Sequence, residues 1–438
     1  MKRGTMMGKF YTAVRLEESL CMGCINCIKR CPTEAIRVRN QKAVITKEFC
    51  IDCGECIRIC PHHAKNATYD SMDMIKQYGY TIALPAPSLY AQMNNLDDIN
   101  IVLNALKLMG FSDVFEVSGA AEILSAATRK YIEEHREKWP IISTACPVVT
   151  RLIRVRFPNL LEHLLPLKPP IDIAAELARK EAMKKTGLSK EKIGVFFISP
   201  CPAKVTAVKT PLGYEKSEVD GVLAIKDVYP QLISCMKIVA KREELEDLVI
   251  SGKIGISWGS SGGEASGLLT DSYLAADGIE NIIRVLEDME DQKFTNLEFI
   301  ELNACSGGCV GGVLTVENPY VAKVKLKRLR KYMPVARTHI PLESIDIGWT
   351  QEVEYEPVFN LGVSLIESIG KVAIVEELCK KFPGLDCGSC GAPTCKALAE
   401  DIVRGVAEEN YCIHIFREYV SKLSGNFPKE ILEKSEKE

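Results

Sequence analysis

Cysteine is the residue most able to do chemistry in this sequence, which has 18 of them in 438 positions. Two segments, CMGCINCIKRCP at 21–32 and CIDCGECIRICP at 50–61, share the spacing C-x2-C-x2-C-x3-C-P. A zinc site usually joins two thiolate pairs through a longer loop, whereas three thiolates within seven residues suit an iron–sulfur cube. The repeated spacing therefore predicts two iron–sulfur clusters, with zinc as the alternative.

The spacing resembles that of bacterial two-cluster ferredoxins, in which three close cysteines hold one cube and the fourth crosses to the other. The resemblance implies two sets of four ligands. The first set is Cys21, Cys24, Cys27 and Cys60. The second set is Cys50, Cys53, Cys56 and Cys31.

A third cysteine group occupies DCGSCGAPTCKALAEDIVRGVAEENYC at 386–412. Three of its cysteines lie on a Gly/Pro-rich loop, after which Leu398, Ala399, Ile402 and Val403 repeat with helical spacing. The segment resembles the single 4Fe–4S module of electron-transfer subunits and corrinoid iron–sulfur proteins, with a zinc knuckle as the alternative. The resemblance implies one further cluster, with the ligands Cys387, Cys390, Cys395 and Cys412.

Three further loops carry cysteine: STACPVV at 143–149, SPCPAK at 199–204 and ELNACSGGCVGG at 301–312. Glycines in the last loop allow the backbone to approach a bulky inorganic group closely. Cys305 and Cys309 are four positions apart, so one helical turn would present both thiolates on the same side. A buried free thiol is the ordinary alternative for each loop alone. Three such loops between cluster modules indicate a shared metal site.

The three loops resemble the signature motifs of FeFe hydrogenases, TSCCP, MPCxxK and ExMxCxxGCxxGG, and the resemblance covers nearly the whole chain. It implies an H-cluster, which joins a 4Fe–4S cube to a di-iron unit with CO, cyanide and a bridging dithiolate. The implied ligands are Cys146, Cys201, Cys305 and Cys309, of which Cys309 also bridges to the di-iron unit. Lys204 would donate hydrogen bonds to a cyanide, and Ser88 in LPAPSLY matches a family serine that also contacts cyanide.

Ala145 stands where hydrogen-turnover members of the family have the first cysteine of the CC pair. That cysteine passes protons between the di-iron unit and the protein, and alanine has no exchangeable proton. Further family positions in or near the proton route are also replaced, by Leu165, Ile171, Thr128, Tyr131, Ser199 and Asn303. General acid–base groups typically contribute about 10²- to 10⁴-fold in rate, so we expect slow turnover.

A full ligand set beside a lost proton relay resembles the sensory branch of the family, which also has a C-terminal 4Fe–4S module. The resemblance implies an oxidoreductase that interconverts H2 and protons at a low rate and senses hydrogen or redox state. Its electrons would pass through the ferredoxin-type clusters. One group of that branch ends in a PAS domain, whereas this chain stops at Glu438. The signal is therefore expected to leave through a separate redox or signalling partner protein.

The main alternative is an electron-transfer or assembly iron–sulfur protein without the di-iron unit. Hydrogenase-related assembly proteins lose the bridging cysteine or the cyanide-contacting lysine, whereas Cys309 and Lys204 are both present here. A third hypothesis is an ordinary hydrogenase that moves protons by another route through water.

Composition argues against other classes of partner. A net charge of −3 and a pI near 6.2 give no basis for nucleic-acid binding. No apolar stretch reaches the ~18 residues of a membrane helix, and the N-terminus lacks the features of a signal peptide. We therefore expect a cytoplasmic protein, where disulfides are rare and many cysteines indicate metal sites.

Apolar runs that end at the functional loops alternate with helical segments along the middle of the chain. GYTIALPA at 79–86, WPIISTAC at 139–146, IGVFFISPC at 193–201 and LEFIELNAC at 297–305 are each expected to form a buried strand. Strands that alternate with helices predict parallel sheets, with sites at the carboxyl ends of the strands. GSSGGEASG at 259–267 lacks the lysine and spacing of a phosphate loop, so we expect it to pack beside the metal site.

The predicted architecture has three parts. An α+β two-cluster ferredoxin module is expected at 1–75, followed by an α/β hydrogenase H-cluster domain with parallel sheets at 76–350. A linker and a small, mainly helical 4Fe–4S module are expected at 351–438.

Overall fold

The computed structural model describes residues 11–338, 340–341, 345–362 and 364–424. The first ten residues, part of the N-terminus in which no signal peptide is predicted, and those after 424 lie outside this range. None of the helices in the described part combines the length and apolar character that a membrane crossing requires.

The strands and helices alternate along most of the chain. The strands are β1 (Val14–Leu16), β2 (Ile36–Arg39), β3 (Lys42–Ile45), β4 (Lys65–Ala67), β5 (Tyr80–Pro85), β6 (Asp113–Val114), β7 (Ile141–Ile142), β8 (Ile193–Ser199), β9 (Gly221–Ala224), β10 (Tyr273–Asp277) and β11 (Phe299–Asn303). The helices are α1 (Asn26–Lys29), α2 (Glu55–Ile59), α3 (Pro87–Tyr90), α4 (Ile99–Leu108), α5 (Val117–Glu134), α6 (Pro147–Arg156), α7 (Pro170–Thr186), α8 (Pro202–Lys209), α9 (Ile225–Val239), α10 (Lys253–Ser257), α11 (Gly263–Ser266), α12 (Ile279–Glu290), α13 (Pro319–Leu329), α14 (Leu365–Lys381), α15 (Cys395–Val403) and α16 (Ile413–Ser424).

The chain folds into two compact units. Of the described residues, the first comprises 11–15, 50–54 and those between 66 and 356, and the second comprises 16–49, 55–65 and those between 357 and 424. The second unit therefore combines pieces from the predicted first and third domains, and the boundaries at 75 and 350 stay predictions.

Two parallel sheets organise the first unit. The four-stranded sheet has the order β6-β5-β8-β9, and the three-stranded sheet has the order β10-β11-β7. Every residue of β8 is buried, as expected for a parallel strand whose two faces are both covered by helices. The predicted parallel α/β arrangement is thus confirmed.

One predicted strand is much shorter than expected. The run at 139–146 forms only β7, because Pro140 has no backbone N–H for the ladder on one side and the STACPVV loop begins on the other. Ser143 still donates its backbone N–H to the carbonyl of Ile300 at 3.0 Å. The loop therefore leaves the sheet directly beside β11.

Two buried glutamates, Glu116 directly before α5 and Glu122 on it, fix the backbone that leads to the glycine-rich segment 259–267. Glu116 accepts the N–H groups of Ile250 and Ser251 at 2.7 and 3.1 Å and the hydroxyl of Tyr90 at 2.8 Å. Glu122 accepts the N–H groups of Gly252 and Gly255 at 2.6 and 3.3 Å, and those of Arg337 and Thr338 at 2.9 and 3.0 Å. Backbone donors that lack partners in helices or sheets are satisfied in this way.

The second unit is built around an antiparallel hairpin and packed helices. β2 pairs with β3 from Ile36 opposite Ile45 to Arg39 opposite Lys42. The helices α14 and α15 share a small core. That core contains Val375, Leu378, Phe382, Ala397, Leu398, Ala399 and Cys412. The helix predicted after Cys395 is present, and its buried face includes Leu398 and Ala399, as expected.

We predict that Glu122→Ala lowers the free energy of unfolding by about 3 kcal/mol, because it leaves buried N–H groups without an acceptor. Urea titration under anaerobic conditions measures this change. Glu133→Ala, an exposed substitution on the same helix, is the control and should change it by less than about 0.5 kcal/mol. Equal effects from the two variants would contradict the positioning role of Glu122.

Candidate metal centre

Four cysteines from three separate loops line one cavity of the first unit. Cys146, Cys201, Cys305 and Cys309 all line this space, which we name the thiol cavity. Each loop follows the carboxyl end of a strand, namely β7, β8 or β11. Parallel pairing brings the ends of β7 and β11 to one edge of the three-stranded sheet, and β8 ends at an edge of the four-stranded sheet. Sites are commonly built at such edges.

Two of these cysteines stand immediately before helices. Cys146 precedes α6 and Cys201 precedes α8, and each helix begins with a proline. Proline is favoured at the first helical position because its missing N–H would be unbonded there in any case. The Cys-Pro pairs therefore fix where each loop ends and its helix begins.

The loop from Cys305 to Gly312 corrects one prediction. Cys305 and Cys309 do not share a helical turn, because Gly307 and Gly308 between them have φ angles of +82° and +86°. Cys309 instead starts a short 3-10 helix, Cys309–Gly311. Both thiols still line the thiol cavity, so their proximity comes from the reversal of the chain.

Protein packing accounts for two glycines in this loop. A Cβ on Gly308 would lie 2.3 Å from the backbone nitrogen of Ser261, and one on Gly312 would lie 2.2 Å from the carbonyl oxygen of Pro200. Both distances are far shorter than van der Waals contact, so any side chain at these positions would collide with neighbouring backbone. The need for glycine here is therefore explained by the protein itself. Gly308 and Gly312 also line the thiol cavity.

Burial makes two thiols of this cavity hard to ionise. It raises the pKa of Cys201 to about 11 and that of Cys309 to about 12, and the neighbouring thiol of Cys146 adds to both shifts. The Lys204 ammonium acts in the opposite direction on both. A bound metal supplies the positive charge that allows such thiols to act as thiolates.

A second cavity adjoins the first. Ala145, Lys204, Asn303 and Cys309 line both spaces. The second space, which we name the proton cavity, is also lined by Pro87, Ser88, Ile171, Trp258, Gly259, Glu264 and Glu301. Lys204 is 7% exposed and donates to the carbonyl oxygen of Ala145 at 2.7 Å.

Two buried polar atoms of the proton cavity lack partners. Within the described residues, neither Ser88 Oγ nor Glu264 Oε1 has a hydrogen-bond partner. Buried polar groups are nearly always satisfied, so this cavity fits a polar bound group better than an apolar one. The donor set of four thiols next to it fits an iron–sulfur cube.

Sequence reasoning missed the carboxyl pair in the proton cavity. Glu264 and Glu301 are both buried, and Ser143 donates its hydroxyl to Glu264 Oε2 at 2.6 Å. Burial first and the charge of Glu301 second raise the pKa of Glu264 to about 8. Burial also raises the pKa of Glu301, although it accepts the N–H groups of Gly262 and Ala265. The available signal is an acid, Glu264, within a segment of small residues. The prediction for 259–267 covers only packing beside the metal site.

Three residues predicted to replace family relay positions, Thr128, Tyr131 and Leu165, have different surroundings. Thr128 is fully buried and donates to the carbonyl of Leu124 at 2.8 Å. The Tyr131 ring stacks on His135 with centroids 4.0 Å apart. Leu165 is buried among apolar side chains.

The other three replacements lie near the cavities, and Ile171 lines the proton cavity. Ser199 exchanges hydrogen bonds with the backbone of Cys201, and Asn303 donates to Glu301 Oε1 at 2.7 Å. These contacts hold the cysteine loop and the second carboxyl of the pair in place.

One ferredoxin-type loop reaches this site through the first unit. Cys53 lines the thiol cavity together with Asp52. Asp52 is 1% exposed, and it accepts the Thr206 hydroxyl at 2.6 Å and the N–H groups of Ala13 and Val14 at 3.0 and 2.9 Å. Thr206 lies on α8, the helix that follows Cys201.

The second unit groups two of the predicted ligand sets. Burial raises the pKa of Cys27, Lys65 opposes this, and three nearby thiols raise it further: those of Cys24, Cys21 and Cys60. Burial raises the pKa of Cys390, and the thiols of Cys387 and Cys412 add to that shift. Cys395 packs against the same small core as Cys390.

The remaining predicted set is divided, with Cys50 and Cys53 in the first unit and Cys31 and Cys56 in the second. Throughout the described ranges, no three His, Cys, Asp or Glu side chains are arranged to hold a single metal ion.

Comparison with protein families gives three matches. The model for the iron only hydrogenase large subunit, C-terminal domain, matches residues 79–313. A 4Fe-4S dicluster domain matches residues 13–61, and a model for an Fe-S cluster matches residues 382–414. These matches support the predicted hydrogenase-like domain, the N-terminal ferredoxin-type domain and the presence of iron–sulfur clusters.

Curated relatives are distant in sequence. Iron hydrogenase 1 from Clostridium pasteurianum is 24% identical over 304 residues, which are 57% of this chain and 53% of the relative. The NADP-reducing hydrogenase subunit HndD from Solidesulfovibrio fructosivorans is 23% identical over 260 residues, 48% of this chain and 44% of the relative. The chain thus matches about half the length of these relatives.

Similar solved structures include a variant of the FeFe-hydrogenase HydA1 from Chlamydomonas reinhardtii. It is 14% identical, with a TM-score of 0.45, over 56% of this chain and 83% of that one. The hydrogenase model covers more than half of the sequence and spans all three signature loops. The chain therefore belongs to the family of the iron-only hydrogenase large subunit, through its C-terminal domain.

Proposed function

We propose that this chain binds an H-cluster and interconverts H2 with protons and electrons at a low rate. The observation that carries the proposal is the pair of adjoining cavities. Four thiols line one of them, and the side chains of Cys309 and Lys204 line both. A bridging ligand would have to reach both halves of a two-part cofactor, and the presence of Cys309 in the lining of both cavities supports that role.

Each predicted site residue has a role in this proposal. Cys146, Cys201 and Cys305 would hold the 4Fe–4S cube with Cys309. The buried Lys204 ammonium and the unpartnered Ser88 hydroxyl would donate hydrogen bonds to anionic cyanide ligands, since charge-assisted bonds are the stronger kind. When bound, the di-iron unit supplies the metal centre at which H2 is split or formed.

Glu264 provides an acid where Ala145 provides none. Glu264 lines the proton cavity. Its buried Oε1 atom has no hydrogen-bond partner among the described residues, and its Oε2 atom accepts the Ser143 hydroxyl. A raised pKa keeps this carboxyl protonated near neutral pH, and a catalytic acid works best when its pKa is near the working pH. Glu264 would therefore exchange the proton that the family cysteine handles elsewhere.

The low rate and the kept ligand set favour a hydrogen- or redox-sensing role. The electrons would pass through the ferredoxin-type clusters to a separate redox or signalling partner protein. Cys53 in the wall of the thiol cavity supports this route, because it brings a ferredoxin-type ligand beside the proposed cube.

The alternative is an electron-transfer or assembly protein without the di-iron unit. The presence of both Cys309 and Lys204 weighs against it, because hydrogenase-related assembly proteins lose one or the other.

Infrared spectroscopy of the matured protein tests the proposal. We expect bands from iron-bound CO and cyanide, together with an iron content about two atoms above the roughly sixteen of four cubes alone. A protein with complete cubes and no such bands would support the alternative.

Lys204→Ala should lower the content of the di-iron unit while the cubes of the other modules stay loaded.

We predict that Glu264→Gln lowers H2/D2O exchange by about 10²- to 10⁴-fold, the usual contribution of an acid–base group. The wild-type rate should change near pH 8, because Glu264 is a proton donor below its pKa of about 8 and a base above it. The variant should lack that step in its pH profile. Thr128→Val is the matched control and should stay within about twofold, because Thr128 is bonded to Leu124. A Glu264 variant as active as the control would contradict the assignment.

We predict that Ala145→Cys raises hydrogen turnover by less than about tenfold, well short of a complete acid–base contribution. Leu165, Thr128 and Tyr131 still interrupt the family route behind it. Turnover assays with a viologen dye measure the effect. Complete recovery from this single change would show that the relay positions are wrongly assigned.

A further inference from the structure

Within the second unit, the C-terminal cysteine loop contacts the N-terminal hairpin through its backbone. Val38 on β2 donates its N–H to the carbonyl of Gly391 at 2.8 Å, and Arg39 donates to the carbonyl of Cys390 at 3.1 Å. A Cβ on Gly391, whose φ is +77°, would lie 2.0 Å from the Val38 carbonyl oxygen. Only glycine fits there, so this is a close and specific contact.

A buried set of charges holds the same contact. Asp401 on α15 accepts from Arg37 at 2.6 and 3.1 Å and from Arg39 at 2.8 Å. Arg37 is 12% exposed, Arg39 is 21% exposed and Asp401 is 7% exposed. Buried charges are tolerated only when they are well paired, so the two elements are expected to stay together.

The cysteine segment at 24–29 also contacts the C-terminal cysteine loop at 386–393. Lys29 on α1 donates its Nζ hydrogens to the carbonyls of Pro393 and Asp386. A Cβ on Gly388, the neighbour of Cys387, would lie 3.2 to 3.5 Å from side-chain atoms of Lys29, Ile25 and Ile28. Ile25 directly follows Cys24, and Ile28 and Lys29 directly follow Cys27.

The outer side of the C-terminal loop is open to solvent. Cys387 is exposed, whereas Cys412 and Cys27 are buried. A cluster held by Cys387, Cys390, Cys395 and Cys412 would therefore have one edge at the surface and a ferredoxin-type cluster behind it.

We propose that the C-terminal cluster is the terminal relay of the electron chain and exchanges single electrons with an external one-electron carrier at the Cys387 edge. Each transfer reduces one cube and oxidises its neighbour by one electron, and no bond forms or breaks. Oxidation of one H2 yields two protons and two electrons, so two transfers deliver one electron each to two oxidised carriers. This direction of flow rests on the proposed function, whereas the link between the clusters does not.

The link can be tested in protein with reconstituted iron–sulfur clusters and no di-iron unit, so its outcome is independent of the H-cluster. After reduction with dithionite, electron paramagnetic resonance should show ferredoxin-type signals broadened by a neighbouring reduced cluster. The two ferredoxin-type clusters also broaden each other's signals, so the C-terminal cluster accounts for only part of the broadening. Cys412→Ser removes a C-terminal ligand and should remove that part, while the ferredoxin-type signals themselves remain. Unbroadened wild-type signals, or broadening unchanged by Cys412→Ser, would overturn the proposal.

The charge set provides a second comparison. Asp401→Asn should weaken the broadening and Asp401→Glu should retain it. Lys381→Gln breaks an exposed pair with Glu409, which lies 3.5 Å away in the same module, and should leave the broadening unchanged.

Oxidised methyl viologen should reoxidise the ferredoxin-type clusters more slowly in Cys412→Ser than in Lys381→Gln, as followed by stopped-flow absorbance. Equal rates would refute the role of the Cys387 edge.

Discussion

The ladder between β5 and β8 runs in parallel from Tyr80 opposite Ile193 to Pro85 opposite Ile198, and β11 pairs with β7 in the same sense. Since parallel strands all end at one edge, the chain leaves these sheets at points that face a common space. The segments that follow the four strands contain Ser88, on the short helix α3, and the loop residues Cys146, Cys201 and Cys305. Without this pairing, residues more than two hundred positions apart in sequence would have no reason to share a cavity.

Burial then sets the chemistry of those groups. The same low exposure that makes the thiols of Cys201 and Cys309 hard to ionise keeps the carboxyl of Glu264 protonated. Lys204 acts against both effects, and its short bond to the Ala145 carbonyl keeps it in the wall between the two cavities. The buried Lys204 ammonium places a positive charge in this wall, which supports the proposed anionic cofactor.

The sequence predicted the parts of this fold that depend on local patterns. Fully apolar runs gave β5 and β8, helical spacing gave α15, and cysteine spacing indicated the cluster modules. It failed where the result depends on distant packing. The positive φ angles of Gly307 and Gly308 follow from the loops they contact, so the four-residue spacing of Cys305 and Cys309 was misread as a helical turn. The raised pKa of Glu264 depends on burial and on Glu301 in β11, and its hydrogen bond depends on Ser143 after β7. No local sequence pattern reveals such neighbours.

Asp52 adds a consequence for how such proteins can be rebuilt. This aspartate belongs to a ferredoxin-type cysteine loop, yet its carboxylate is bonded to Thr206 on the helix that follows Cys201. The segment at 50–54 is thus anchored by a side chain of its own, in addition to any inorganic ligand. A foreign ferredoxin grafted onto this domain needs a carboxylate at the same place in its second motif, and cysteine spacing alone is an insufficient guide to compatible modules.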